Sequence, residues 1–366
     1  MNIVIACGGT GGHLFPGLAI AEVLSARGHP LLILISEKKI DSLAIQRYTE
    51  FRFETLPSIG LPSPLSTKLI PFTVKLASSF LKCRRLYRAF QPAAVLGMGG
   101  FTSAVPILCG RWCGASTYLH ESNAIPGKAN LVSAKMVSRV LLGFEACAEF
   151  FPATKTLFTG TPVRSALTKE LSRSGAAEAL GLYPEKTTLL VMGGSQGASS
   201  LNTLVVEALC ASQSAFFSEQ LQVLHLAGTD DEERVRASYD AVGIHARVMA
   251  FHQAMEEVYQ VADFAVARSG ASSLTEFAYF GLPSILIPYP YAAEDHQTKN
   301  AEAFVHSGAA VLLQQKEATL NALGAEIKRL IAQPELRRQM ADNCRKLSLP
   351  NSALRIADLL EGHLEK

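Results

Sequence analysis

One local pattern occurs twice, 185 positions apart. Asn2 to Ala6 is a strand-sized apolar run that stops at Cys7-Gly8-Gly9-Thr10-Gly11-Gly12-His13, and a helical pattern follows from Leu18 to Ala26. Thr187 to Met192 stops at Gly193-Gly194-Ser195-Gln196-Gly197-Ala198, and a second helical pattern begins near Ser200. A buried strand, a glycine turn and a helix are the opening of a doubly wound parallel sheet. Gly8 and Gly193 divide the 366 residues so that each half opens in this way. Further short apolar runs fit strands covered on both faces: Ala94 to Leu96, Ser116 to Leu119, Val137 to Leu142 and Thr156 to Phe158, then Val223 to Leu226, Phe264 to Val266 and Ser284 to Ile287. The expected fold class is α/β, with two doubly wound Rossmann-like domains facing across a cleft at the strand C-termini. The turn Thr159-Gly160-Thr161-Pro162-Val163-Arg164 sets the expected boundary, giving domains 1–163 and 164–350, with a polar helix at 165–180. Pro350 and Asn351 break the last helical region, so 351–366 is expected to return as a helix to the first domain.

Apolar residues make up 48% and charged residues 18%, enough for large cores and too apolar for a disordered chain. The formal charge of +2 excludes a globally basic coat for nucleic acid. Met1 runs into Ile3-Val4-Ile5-Ala6 without a basic stretch, so no signal peptide is expected, and no apolar run reaches the ~20 residues of a membrane span. Seven scattered cysteines have no metal spacing and read as reduced thiols.

The net charge hides an asymmetry. From Thr55 to Leu142 Glu121 is the one acidic residue against ten basic ones, which leaves 24 basic and 31 acidic residues elsewhere. Six of the cations (Lys68, Lys75, Lys82, Arg84, Arg85 and Arg88) alternate with Leu69, Ile70, Phe72, Val74, Leu76, Phe80, Leu81, Leu86 and Tyr87. Such a segment either lies on an anionic bilayer or packs on its own domain with a solvated basic face.

A glycine turn between strand and helix lets main-chain amides approach an anion, and the helix start adds about half a positive charge. The dinucleotide pattern G-x-G-x-x-G fails because Leu14 stands at the third glycine, although Glu37 would suit it; the P-loop fails because His13-Leu14 stands for Gly-Lys. Gly97-Met98-Gly99-Gly100-Phe101 supplies a third loop, and three such loops point to a ligand carrying pyrophosphate. His13, just past the first loop, is either a proton acceptor or a residue that caps the turn. His120-Glu121 lacks the second histidine of a zincin, so no metal site is expected. Gly193-x-Ser195-x-Gly197 formally matches the nucleophile elbow of a serine hydrolase. Arg268-Ser269-Gly270-Ala271-Ser272-Ser273-Leu274-Thr275-Glu276 offers a helix start for a phosphate and, in Glu276, an acceptor for a ribose diol; a plain capping box is the other reading. Asp295-His296-Gln297 with Asn300 suits hydroxyl-rich recognition or a solvated loop.

Taken in order, Gly8 to His13 with Phe15-Pro16, Gly97 to Phe101, His120 to Asn123, Gly160 to Arg164, Gly193 to Ala198, Arg268 to Glu276, and Gln297 with Asn300-Ala301 resemble the MurG family. The resemblance spans nearly the whole chain. It implies a GT-B fold and an inverting, metal-independent N-acetylglucosaminyltransferase without cofactor. The implied donor is UDP-GlcNAc and the implied acceptor is undecaprenyl-pyrophosphoryl-MurNAc-pentapeptide (lipid I), giving lipid II for peptidoglycan. It also implies a peripheral place on the cytoplasmic face of the inner membrane, with partners among cell-wall synthesis proteins. Donor contacts fall by resemblance on Thr10, Gly11, Gly12, Asn123, Arg164, Ser195, His252, Ala271, Ser272, Ser273, Leu274, Thr275, Glu276 and Gln297. His13 is the candidate base and Glu121 the second. Thr161, Ser122, Phe101, Ser273 and His252 depart from the family's usual residues. The alternatives are a UDP-GlcNAc 2-epimerase on the same fold, a serine hydrolase through Ser195, and a dinucleotide-binding module without chemistry.

Overall fold

The structure, a computed structural model, describes residues 1–38, 48–57, 69–169, 171–194, 197–210 and 214–363. Ser195, Gln196 and Lys68 lie outside the described residues. The chain divides into two compact units, one formed by Met1–Arg164 with Leu349–Lys366 and the other by Ser165–Ser348.

The first unit holds seven strands: β1 (Ile3–Ala6), β2 (Leu31–Ile35), β3 (Arg52–Thr55), β4 (Ala94–Gly97), β5 (Ser116–Glu121), β6 (Arg139–Leu142) and β7 (Thr156–Phe158). They form one sheet in the order β3-β2-β1-β4-β5-β6-β7, and every pairing is parallel. All four residues of β1 are fully buried, as expected of a central strand covered by helices on both faces. Val4 pairs with Leu32 on one side and with Val95 on the other. The winding reverses between β1 and β4, the switch point at which ligands of such sheets bind.

The C-terminal helix Ser352–Leu360 belongs to this unit. Ile356, Ala357, Leu359 and Leu360 enter the cluster built on Ile3, Leu14 and Leu18. Arg27 donates to Asp358 at 2.7 Å and to Glu361 at 2.5 Å, and His29 meets the other oxygen of Glu361 at 2.5 Å.

The second unit repeats the plan with β8 (Thr187–Met192), β9 (Leu221–Leu226), β10 (Ala246–Met249), β11 (Phe264–Ala267), β12 (Ser284–Leu286) and β13 (Ala310–Leu312), in the order β10-β9-β8-β11-β12-β13 and again all parallel. β8 therefore stands to β11 as β1 stands to β4. The helix expected at 165–180 is divided: a 3-10 turn covers Ser165–Thr168 and an α-helix covers Arg173–Leu180. Ser172 causes the restart, because its Oγ accepts from the Gly175 N–H at 3.1 Å and caps the new helix.

Candidate active site

In the first unit two glycine loops meet at the switch point. Gly9 sits at φ +107°, and Thr102 donates its hydroxyl to the Gly8 carbonyl at 2.7 Å, tying the loop after β4 to the loop after β1. Lys38, just past β2, donates to the Gly9 carbonyl at 2.8 Å. Helix Gly11–Ala26 has no side-chain cap at Thr10, and His13 is its third residue. The imidazole lies over the second loop: a Cβ on Gly99 would come 3.2 Å from His13 Nε2, and one on Gly100 would come 3.2 Å from Cε1. Gly99 and Gly100 adopt φ +106° and +72°, so glycine meets both a steric and a backbone demand there. On its other side, His13 Nδ1 is 3.4 Å from Thr10 Oγ1.

Glu121 ends β5 beneath these loops and is 1% exposed. It accepts from Asn130 Nδ2 at 2.6 Å, from the Asn123 N–H at 2.9 Å and side-chain amide at 3.0 Å, and from the Gly127 N–H at 3.2 Å. Asn130 in turn accepts from the Gly100 N–H at 3.0 Å. Burial raises the Glu121 pKa, and these donors oppose the rise. A carboxylate that accepts from four donors organises the 122–130 loop. His120 is also structural. It is fully buried with its pKa lowered to about 4 by desolvation; Nε2–H donates to Gly160 O at 3.0 Å, leaving Nδ1 to accept from Ser122 at 3.2 Å.

Arg164 closes the unit's main segment. Its guanidinium carbon stands 4.4 Å from the Phe15 ring centroid, and its buried Nε has no hydrogen-bond partner among the described residues. Thr10, Gly11, Gly12, His13 and, through Phe15, Arg164 are therefore grouped around one helix start.

In the second unit Gly194 adopts φ +104°, nearly the value of Gly9, and helix Ser199–Cys210 follows. Beside it, helix Ala271–Phe280 begins at Gly270 with no side-chain cap. Ser272 and Ser273 lie inside the helix, not at its cap, and Glu276 Oε2 accepts from Tyr259 OH at 2.5 Å. The first-turn amides at Ala271, Ser272 and Ser273 thus make an uncapped, positive helix end. Leu274 is buried, and Thr275 turns its hydroxyl back to Ala271 O at 2.9 Å.

Two ties hold the neighbouring segments. Arg268, 4% exposed, donates to Ile287 O, Pro288 O and Ser200 Oγ, each at 2.9 Å, and burial lowers its pKa. Ser269 donates to Gln297 O at 2.7 Å, while Gln297 Oε1 accepts from the Tyr289 N–H at 2.9 Å. Glu294 and Asp295, just before it, hold φ +54° and +52°, a left-handed pair rare outside glycine. His252 follows β10 and pairs through Nε2 with Glu257 at 3.0 Å, at the start of the helix that delivers Tyr259 to Glu276.

Asn130, Tyr259, Lys38 and Thr102 emerge only from the structure. Each stands far in sequence from the motif that it serves, and no local pattern marks it.

The chain matches the glycosyltransferase family 28 N-terminal domain over residues 3–142 and the glycosyltransferase family 28 C-terminal domain over residues 188–356. It is 36% identical over 367 residues to the UDP-N-acetylglucosamine--N-acetylmuramyl-(pentapeptide) pyrophosphoryl-undecaprenol N-acetylglucosamine transferase of Geotalea daltonii, covering 100% of this chain and 98% of the relative. It is also 36% identical to the enzyme of that name from Desulfotalea psychrophila, covering 97% and 95%. Among solved structures, the crystal structure of Acinetobacter baumannii MurG superposes with a TM-score of 0.78 at 25% identity and 99% coverage of both chains. With both family domains matched in order and full-length identity above one third, the chain belongs to the MurG family of glycosyltransferases.

Proposed function

We propose that the protein transfers N-acetylglucosamine from UDP-N-acetylglucosamine to the undecaprenyl-pyrophosphoryl N-acetylmuramyl-pentapeptide acceptor in peptidoglycan synthesis. One observation carries this reading: end-to-end identity with transferases named for that reaction.

The step joins an acceptor hydroxyl to the anomeric carbon as the bond to UDP breaks, with inversion. The hydroxyl proton goes to a base and negative charge builds on the departing diphosphate. We assign the base to His13, whose imidazole lies between Thr10 and the Gly99-Gly100 turn at the first unit's switch point. Glu121 holds the surrounding loop, and Asn123 is fixed by it. Thr10, Gly11, Gly12 and Arg164 supply amides and a cation toward phosphate oxygens. In the second unit, the first-turn residues Ala271, Ser272 and Ser273 take the donor's diphosphate, Leu274 and Thr275 hold that helix start, and Glu276 takes the ribose diol. Gln297 takes hydroxyls of the sugar and His252 flanks the base. Ser195 is assigned to the phosphates by the family pattern alone. The helix end in the second unit offsets the charge on the departing diphosphate, so the reaction is proposed to run without a divalent cation.

The acceptor's polyprenyl tail requires a membrane-facing surface, which we assign to the first unit. On helix Leu69–Phe90, Val74, Leu76 and Leu81 are exposed beside Lys75, Lys82, Arg84, Arg85 and Arg88. Trp112 is 72% exposed and packs edge-on against Phe80 at 5.8 Å, extending this surface. Among the described residues no helix is long and apolar enough to cross a membrane, so attachment is proposed to be peripheral.

The test is incubation with radiolabelled donor and a short-chain lipid acceptor in the presence of EDTA. The reading expects one labelled lipid. Release of UDP-N-acetylmannosamine without labelled lipid would replace it with the epimerase.

A further inference from the structure

We propose that a recess of about 390 Å3 in the second unit, remote from the glycine turns, binds a small phosphoryl anion. Three arginines of helix Pro334–Lys346 line it: Arg337, Arg338 and Arg345. Asp263 immediately precedes β11, and Gly281 follows helix Ala271–Phe280, so the recess opens at the N-terminal edge of the sheet. The donor-side helix start is thus a full ten-residue helix away, roughly 15 Å.

The charge balance of the lining is one-sided. Asp263 is its one acidic residue: its Oδ2 accepts from Arg173 at 2.8 Å and from the Thr188 N–H at 2.7 Å, and its charge also favours the Arg337 cation, leaving three arginines against one carboxylate. Arg337 has no carboxylate partner among the described residues. Its Nη1 donates to the carbonyls of Leu330 and Ile331 at the end of the preceding helix, and burial lowers its pKa against the pull of the Asp263 charge. A partly desolvated guanidinium with uncommitted donors gains from an anion.

Arg338 and Arg345 do have partners, Glu335 at 2.5 Å and Asp342 at 2.9 Å, but those carboxylates are 83% and 70% exposed. Pairs so solvated are weak and easily exchanged for a bound ligand. Arg345 lies over Gly281, whose lack of a side chain makes room for it: a Cβ there would stand 2.8 Å from its Cζ. Helix Pro334–Lys346 begins with no side-chain cap and adds its positive end.

Planar guanidinium forks match phosphate oxygens, and Tyr259 contributes an aromatic wall. The volume exceeds what a bare phosphate needs and suits a phosphoryl group on a sugar-sized body. The shared chemistry is the phosphoryl group, whether on a soluble ester or on a lipid head.

The test is calorimetric titration of the full-length protein with inorganic pyrophosphate, with UDP held saturating so that a nucleotide site cannot account for the heat. We expect saturable binding at one site, weakened about tenfold in Arg337→Gln and severalfold in Arg338→Ala. Arg338 is mostly exposed, so its variant tests the site even if Arg337→Gln folds poorly. Absence of saturable binding by wild type, or wild-type affinity in Arg338→Ala with Arg337→Gln either unchanged or unfolded, overturns the proposal. Vesicles containing phosphatidic acid separate the two sources. Retention that falls in Arg338→Ala assigns the site to a lipid headgroup, and retention unaffected by that change assigns it to soluble phosphoryl ligands.

Discussion

His13 and Gly99 are in mutual contact across the switch point, with Nε2 only 3.2 Å from where a Cβ on Gly99 would be. The glycine is thereby part of the seat of the imidazole. Gly99→Ala should cost about 1–2 kcal/mol because φ there is +106°, and it should displace the ring. The expected result is a fall in kcat with UDP affinity preserved, approaching the effect of His13→Ala. Unchanged turnover in a folded Gly99→Ala protein would remove His13 from its assigned role.

Tyr259 and Glu276 provide a second test. Removing the hydroxyl that stands 2.5 Å from the carboxylate frees Glu276 to turn away from a ribose. Tyr259→Phe should weaken UDP binding about fivefold and Glu276→Ala should weaken it more, the double variant matching the latter. Additive losses in equilibrium binding would show that the tyrosine acts elsewhere.

Glu121→Gln distinguishes a loop anchor from a base. The amide turns two donors toward groups that are themselves donors, which should cost about 2 kcal/mol and lower the melting temperature. Loss of activity at undiminished thermal stability would instead restore Glu121 as the proton acceptor.

Acid stability follows from two buried histidines. His120 has its pKa lowered to about 4 and His225 to about 3, both by desolvation. Each is neutral when folded, so its contribution is fully present above the unfolded value near 6.5 and is lost as pH falls toward the folded value. For His120 the loss reaches about 2 kcal/mol by pH 5. Urea midpoints between pH 7 and pH 5 should therefore fall, and His120→Asn should flatten that dependence. Parallel slopes for variant and wild type would contradict the assignment.

Membrane attachment is tested at Trp112. Trp112→Ser should reduce retention on anionic vesicles while leaving the melting temperature within a degree or so, because the ring is largely solvated. Retention of the variant equal to wild type at low salt would move the contact surface elsewhere.

The central strands and turns were readable because their signals are local. Buried parallel strands such as Ile3–Ala6 and Thr187–Met192 are unbroken apolar runs, and glycine is required where φ passes +100° at Gly9 and Gly194. Of the edge strands Thr156–Phe158 was readable and others were not. Arg52-Phe53-Glu54-Thr55 carries two charges, as an exposed edge does, and Ala310–Leu312 has only three residues. For Glu276 the sequence leaves a cap and a ligand group open, and its partner Tyr259, 17 residues earlier, forms no local pattern with it. The four donors to Glu121 lie on residues 123, 127 and 130, so its place as a loop anchor is invisible as a motif until the loop closes.

The most direct measurement counts both products of one reaction mixture, labelled disaccharide-lipid and free UDP, with and without the lipid acceptor. The account predicts one UDP per labelled lipid and negligible UDP when the acceptor is omitted. UDP or epimerised donor accumulating without the lipid product would contradict it.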